Sequence, residues 1–376
     1  MPSPQSRNHQ AASIALIHRR LSWEQSPVSA MKVGLMGLGR GGWRLARTLL
    51  NSPWCELTAV ASPNSKRVEQ FTETHPNIAA YDDFRSLIVE NPLDALFVAV
   101  PPFRRTRYLA LAAERKIPVW MLTTAARSFD EALELHNTFD KANCPIVVSR
   151  SWNAEPALQP DAIGLKQLGR FFFAQGNVTV NGDENLDWRG DSERAGGGVL
   201  LYRAYAMIDM LVQTMGMPSS VFARIAGVSR PGTRFPYDTE DTAALICHFT
   251  GGGIAVLSCC WTSGPDHRSL ELHGTVGSLH VNDTDVILRD RTGEKITQQL
   301  PRSDHTLEPQ IETFLSGVAG GSRHFDAAMA QHLPTVALIQ AAYLSARTGQ
   351  PESPSAIFAM HDVKPESFTP ARSASS

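Results

Sequence analysis

Short apolar runs alternate with segments of helical period through the first half of the chain. Residues 33–36 form a compact apolar run, and residues 43–50 follow with apolar side chains at helical spacing. Residues 57–61 and 68–74 repeat the pair, and residues 95–100 are apolar throughout. Residues 108–114, 119–122, 129–141 and 146–149 continue as helix, strand, helix and strand. Apolar runs this short, without alternation, read as strands buried on both faces. Strands that alternate with helices predict a parallel sheet covered on two sides, an α/β fold.

After residue 150 the pattern changes. Residues 170–180, 220–228, 242–249, 253–261, 269–273 and 286–289 read as strands, several with period two. Consecutive strands predict a largely antiparallel sheet. One helix, over 198–215, interrupts the strands and another, over 334–347, follows them. The expected organisation is an N-terminal α/β domain over 31–150 and a C-terminal α+β domain over 151–352. Residues 1–30 are Ser- and Gln-rich and place Arg19 and Arg20 after their short apolar run, the reverse of a secretory signal. They are expected to be a disordered leader; a transit segment is the alternative. Residues 353–376 carry several Pro and Ser residues and are expected to form an irregular tail.

A length of 376 residues exceeds what one core ordinarily supports, in keeping with two domains. Charge is nearly balanced, 35 Lys+Arg against 37 Asp+Glu, with no basic block. Neither a nucleic-acid footprint nor an electrostatic membrane anchor is therefore expected, and no apolar run reaches membrane-spanning length. Cys55, Cys144, Cys247, Cys259 and Cys260 show no Cys-x-x-Cys spacing, and the adjacent pair would point to opposite faces of a strand. Reduced thiols in a cytoplasm, with no metal site, are the expectation. The acids Asp183, Glu184, Asp187, Asp191 and Glu193 are spaced too irregularly for a calcium loop and read as solvated or helix-favouring charges.

Against this background one string carries chemistry. Gly37-Leu38-Gly39-Arg40-Gly41-Gly42 matches G-x-G-x-x-G, directly after a predicted strand and at the start of a predicted helix. In that setting the first glycine makes the tight turn and the second lets backbone approach a pyrophosphate. The third lets helix and strand pack closely, and the helix N-terminus faces the phosphates. The reading is a Rossmann domain that binds NAD or NADP. An NAD site usually offers an acid about 20 residues on, for the ribose 2′-hydroxyl. Here the second strand ends at Ser62, followed by Asn64, Lys66 and Arg67. With no carboxylate to repel a 2′-phosphate and two cations nearby, NADP is favoured; a solvated helix start is the competing account of those cations. The strand that ends at Val100-Pro101-Pro102 completes the expected cofactor edge.

These features together resemble the glucose–fructose oxidoreductase, inositol dehydrogenase and rhizopine-catabolism group, Gfo/Idh/MocA, from about residue 31 to 351. Later markers are Trp188-Arg189 before Gly196-Gly197-Gly198, the pair Glu240-Asp241, the turn at residues 274–278, and residues 341–349 in the last helix. The resemblance implies a C-terminal domain with an open-faced sheet, a sugar-like or polyol small-molecule substrate, and homo-oligomers formed through that sheet. It also implies a Glu-Lys-Pro after the strand at 119–122, and an Asp then a His on the active-site helix. Counted without gaps, this chain holds Leu122, Thr123 and Thr124 at the first set of places, and Tyr202 and Ala206 at the second.

Hydride removal from an alcohol needs a base within hydrogen-bond reach of the hydroxyl, and a threonine at 123 carries no charge. On one continuous helix, Tyr202, Tyr205 and Asp209 would share a face, which makes Tyr202 and Tyr205 the candidate proton donors. Packing at the domain junction is the alternative for that stripe. Arg105, Trp188 and Arg189 are candidates to hold an anionic or polar substrate, with surface salt bridging as the competing role. The expected protein is an NAD(P)-dependent oxidoreductase with a substituted proton-transfer set; the alternative is a catalytically silent dinucleotide binder that acts as a sensor or partner subunit. On a sheet, His248, His273 and His280 lack ligand spacing and read as structural or exposed.

Overall fold

The computed structural model describes residues 30–150, 168–181, 186–227, 237–293, 295–299 and 307–368. The first half runs β1 (Met31–Met36), α1 (Arg40–Asn51), β2 (Cys55–Ala61), α2 (Ser65–Thr74), β3 (Ala79–Tyr81), α3 (Phe84–Glu90), β4 (Ala95–Val98), α4 (Pro102–Glu114), β5 (Val119–Met121), α5 (Phe129–Ala142) and β6 (Ile146–Val148). The six strands pair in parallel in the order β3-β2-β1-β4-β5-β6. That is the order of a Rossmann sheet, with its topological switch between β1 and β4. Val33, Leu35, Met36 and Ala95 to Val98 are fully buried, which accounts for their unbroken hydrophobicity.

Local chemistry sets the helix ends. Ser128 caps α5 by accepting from the Glu131 N–H at 3.2 Å, and Asn143 closes it in the left-handed region at φ 53°. Two elements lie outside the pattern-based reading, β3 and α3. Three residues are too few to show a period, but Asp83 ahead of α3 is a legible cap: its carboxylate accepts from the N–H groups of Arg85 and Ser86.

The second half runs β7 (Phe171–Asn181), α6 (Ser192–Ala195), α7 (Val199–Tyr202), α8 (Tyr205–Met215), β8 (Ser220–Ala226), β9 (Thr242–His248), β10 (Ile254–Cys260), β11 (Thr262–Gly274), β12 (Gly277–Asn282), β13 (Asp285–Asp290) and β14 (Lys295–Gln299). It ends with α9 (Glu308–Ala319), α10 (Met329–Thr348) and α11 (Pro354–Ala359). The sheet order is β14-β13-β12-β11-β7-β10-β9-β8, antiparallel except where β7 meets β10. One face packs on α8 and α10. The other is open, and β9 and β10 alternate between buried and exposed positions accordingly.

Two expectations change. The tail is irregular only in part: α11 forms at 354–359 because Ile357 and Phe358 are buried, the Phe358 ring lying 4.7 Å from that of Phe129. Residues 369–376 and the leader at 1–29 lie outside the described residues. The unexpected helix α9 returns to the parallel sheet, where Ile311, Phe314 and Leu315 bury against a core that contains Phe97 and Trp120.

Candidate functional site

The phosphate loop follows from two steric constraints. Gly37 sits at φ +104°, and a Cβ there would lie 2.6 Å from the Ala99 carbonyl oxygen. A Cβ on Gly42 would lie 2.0 Å from the Gly37 carbonyl oxygen, so no side chain fits where α1 crosses β1. Gly39 differs: it has φ −76°, and the nearest atom to an added Cβ is a guanidinium nitrogen of Arg67 at 3.7 Å. Space is open there. Helix α1 carries no side-chain cap and no acid in its first turn, so its leading N–H groups are left for an anion. These residues fit a dinucleotide pyrophosphate.

Around this loop the predicted cofactor residues converge. Leu38 is buried and Arg40 is exposed at the mouth, while Gly41 faces Leu122. Ser62 is buried, its hydroxyl accepting from the Asn64 N–H at 3.3 Å. Asn64 caps α2 by accepting from the Arg67 N–H at 3.2 Å, which starts the helix where Arg67 can lean over Gly39. Lys66 is exposed on the same turn. Val100 is buried beneath the edge, Pro101 precedes α4, and Pro102 opens it.

The other wall corrects several expectations. The helix expected over 198–215 is two helices, and the segment up to Tyr202 meets α8 at 56°. The break arises at Arg203 and Ala204, whose N–H groups both donate to the Val199 carbonyl, so the turn widens and the helical phase is lost. Glu240 holds α7 in place, accepting from the N–H groups of Gly198 at 2.7 Å and Leu200 at 3.1 Å and from the Tyr343 hydroxyl at 2.8 Å. Neither Gly nor Pro marks the kink in sequence, and Glu240 stands 40 residues away from Leu200.

Tyr202, Tyr205 and Asp209 therefore do not share a face. Tyr205 is 2% exposed, and its hydroxyl pairs with His332 Nδ1 at 3.1 Å. Asp209 accepts from Arg150 Nε at 2.9 Å and from the Thr335 hydroxyl at 2.8 Å. Both belong to a sealed network at the junction of the two sheets, so Tyr205 is removed from the candidate proton donors. Tyr202 remains half-buried beside Trp188, rings 5.1 Å apart at 86°, but its hydroxyl donates to the Ala195 carbonyl at 2.5 Å. Burial pushes its phenol far above the ordinary value; the nearby Arg105 and Arg189 offset this in part. Ala206 is half-buried on α8.

Arg105 is a second correction. It is 2% exposed, and its Nη2 donates at 2.6 Å to the carbonyls of both Thr124 and Ala125, which makes it a brace for the loop after β5 and not a substrate ligand. Burial pulls its pKa down to about 10. The same loop is tied by the Thr123 N–H to Ser149 Oγ at 2.8 Å and by the Thr124 hydroxyl to the Leu201 carbonyl at 3.1 Å. The Thr123 hydroxyl is buried without a partner among the described residues. Trp188 and Arg189 stand on a short 3₁₀ turn (Asp187–Gly190), the guanidinium 4.5 Å from the indole centroid. Asp191 caps α6 by accepting from the Arg194 N–H, the helix-favouring role expected of that acidic loop, whereas Asp183 and Glu184 lie outside the described residues. His273 and His280 flank Glu271 at 3.5 and 2.9 Å.

A parallel sheet in this order, a glycine loop open to a pyrophosphate and an appended open-faced sheet define a dinucleotide-binding fold of the oxidoreductase type. Residues 31–149 match the oxidoreductase family with an NAD-binding Rossmann fold, and residues 161–280 match the GFO/IDH/MocA C-terminal domain. The chain belongs to the Gfo/Idh/MocA family, and its cofactor is a nicotinamide dinucleotide. It is 21% identical over 355 residues to D-apiose dehydrogenase of Paraburkholderia graminis, covering 88% of this chain and 91% of that protein. It is 22% identical over 227 residues to D-xylose 1-dehydrogenase (NADP(+)) 2 of Haloferax volcanii, covering 58% and 70%. A levoglucosan dehydrogenase solved with NADH and levoglucosan superposes with a TM-score of 0.79 at 19% identity, over 86% of this chain and 99% of that one, a likeness of fold.

Proposed function

We propose that this chain is an NADP-preferring oxidoreductase that acts on a sugar-like, polyol or related carbonyl or imine small molecule. The open Gly39 under the Arg67 guanidinium carries the cofactor preference, with Ser62 where an NAD site would place an acid. D-Apiose, D-xylose and levoglucosan, named for the relatives, support a sugar-like substrate. On this reading 31–150 binds the dinucleotide and 151–352 supplies the substrate wall and the surface for homo-oligomers.

Bound NADPH supplies the hydride. The loop at Thr123 and Thr124, held from below by Arg105 and from the side by Leu201, forms the uncharged floor of the reaction site. Such a floor suits substrates that need little help with a proton. An iminium already carries its proton on nitrogen, so hydride addition to carbon completes the reduction. Tyr202, with its proton given to Ala195, offers lone pairs to the cleft and can accept a hydrogen bond from a substrate hydroxyl.

A second reading, a catalytically silent dinucleotide binder, is favoured by the commitment of both tyrosine hydroxyls and by Ala206 at the family's histidine place. Fluorescence titration with NADPH, followed by turnover of the bound cofactor with carbonyls and imines, decides between the two. Binding with turnover is expected. Binding without turnover on any substrate class establishes the silent reading, and no dinucleotide binding at millimolar concentration overturns both.

A further inference from the structure

Arg189 is held differently from Arg150, Arg127 and Arg105 on the same two walls. Arg150 is paired with Asp209, Arg127 with Glu131 at 3.1 Å, and Arg105 with two carbonyls. Among the described residues the Arg189 guanidinium has no ion pair and no hydrogen bond; it lies on aromatic rings instead. Its carbon is 4.5 Å from the Trp188 centroid and 5.9 Å from the Tyr202 centroid. Trp188 in turn contacts Phe103 on α4, at 5.9 Å, so the platform bridges the Rossmann wall and the C-terminal wall. Leu201, beside Tyr202, touches Thr124, which sets this platform next to the loop at the family's lysine place.

Ring faces hold a guanidinium flat and in register without cancelling its charge or occupying its in-plane N–H donors. Burial first, and then the positive charge of Arg203 with a smaller share from Arg40, oppose protonation of Arg189; Tyr202 and Asp187 compensate only in part. A partly desolvated cation in cationic company is unfavourable unless an anion completes it. A planar fork of donors matches a carboxylate in two parallel hydrogen bonds.

We propose that Arg189 receives the carboxylate of an acidic, sugar-like substrate, held on the Trp188 platform beside the reacting carbon. This rests on the oxidoreductase reading above and names its substrate class. The pyrophosphate of the dinucleotide is the other anion within range, since Arg40 belongs to the phosphate loop. The open Gly39 and the uncapped α1 already serve that group from the Rossmann side.

The test is calorimetry on NADPH-saturated protein, titrated with D-glucuronate, D-galacturonate and D-gluconate and with D-glucose, D-galactose and D-glucitol as their neutral counterparts. At least one acid is expected to bind about tenfold or more tightly than its counterpart, with the difference shrinking as salt rises. Arg189→Gln should erase that difference, Arg189→Lys should keep part of it, and NADPH affinity should stay within about twofold in both. Equal binding of acids and neutral sugars by the wild type overturns the proposal. A variant that loses NADPH affinity while acid preference persists also overturns it, and assigns the guanidinium to the pyrophosphate. Failure of the wild type to bind NADPH overturns the oxidoreductase reading and this proposal with it. NADPH binding without acid preference overturns only the latter.

Discussion

Gly39 is the position at which one added side chain separates fold from function. Its φ of −76° is ordinary for any residue, and an added Cβ meets only Arg67, at 3.7 Å. Gly39→Asp should therefore fold with an unchanged melting transition. It would place a carboxylate in the phosphate path and against Arg67, and calorimetry should find NADPH binding abolished. The proposed NADP selectivity is assigned to three residues nearby. Ser62→Asp with Lys66→Gln and Arg67→Gln removes the cations and supplies a ribose acceptor. The ratio of NADPH to NADH dissociation constants should reverse in that variant, by about tenfold or more, or about 1.4 kcal/mol. Equal wild-type affinities across a range of salt would count against the assignment.

Among the elements, the junction of β6, α8 and α10 carries a polar network that neither domain completes alone. Arg150 follows β6, Asp209 and Tyr205 lie on α8, and His332 and Thr335 lie on α10. Burial lowers the His332 pKa to about 4, even with Asp209 pulling the other way. The unfolded chain takes up that proton near pH 6.5, so between pH 6.5 and about 4 it binds more protons than the native state. Stability is then full above pH 6.5 and falls with pH through that window, by about 3 kcal/mol for this group. Burial alone would raise the Asp209 pKa, but Arg150, His332 and Thr335 together take it below its ordinary value. Its contribution is thus present above the unfolded carboxylate value and is lost only at lower pH. Urea unfolding across pH 4–7 should show the His332 slope in wild type and lose it in His332→Gln. The same slope in both proteins would dissociate it from this histidine.

At the scale of the whole molecule, the open face of the eight-stranded sheet is the surface proposed for homo-oligomers. Ile246 and Val256 are cross-strand partners, 42% and 39% exposed, with Ile254 beside them at 38%. Adjacent exposed β-branched side chains on an open sheet face favour burial against a like surface. Ile246→Lys with Val256→Lys should lower the sedimentation coefficient to that of a monomer while NADPH affinity is retained. A wild type that is already monomeric at micromolar concentration would remove the sheet from consideration as an interface.

The dinucleotide half was legible because its determinants are local. Short apolar strands and the glycine spacing each act within a few residues, so sequence alone determined the parallel sheet and the phosphate loop. The reactive wall was not legible, because its determinants are distant. Glu240 shapes α7 from 40 residues beyond Leu200, and a shared Val199 carbonyl turns Tyr205 into the core. Arg105 had the composition of a substrate ligand until the carbonyls of Thr124 and Ala125 came within 2.6 Å of it. Helical periodicity assumes an unbroken axis and says nothing of which partner reaches a charged side chain first. Those two matters were decided by packing, which set Arg189 on its rings and sealed Tyr205 and Asp209 at the junction.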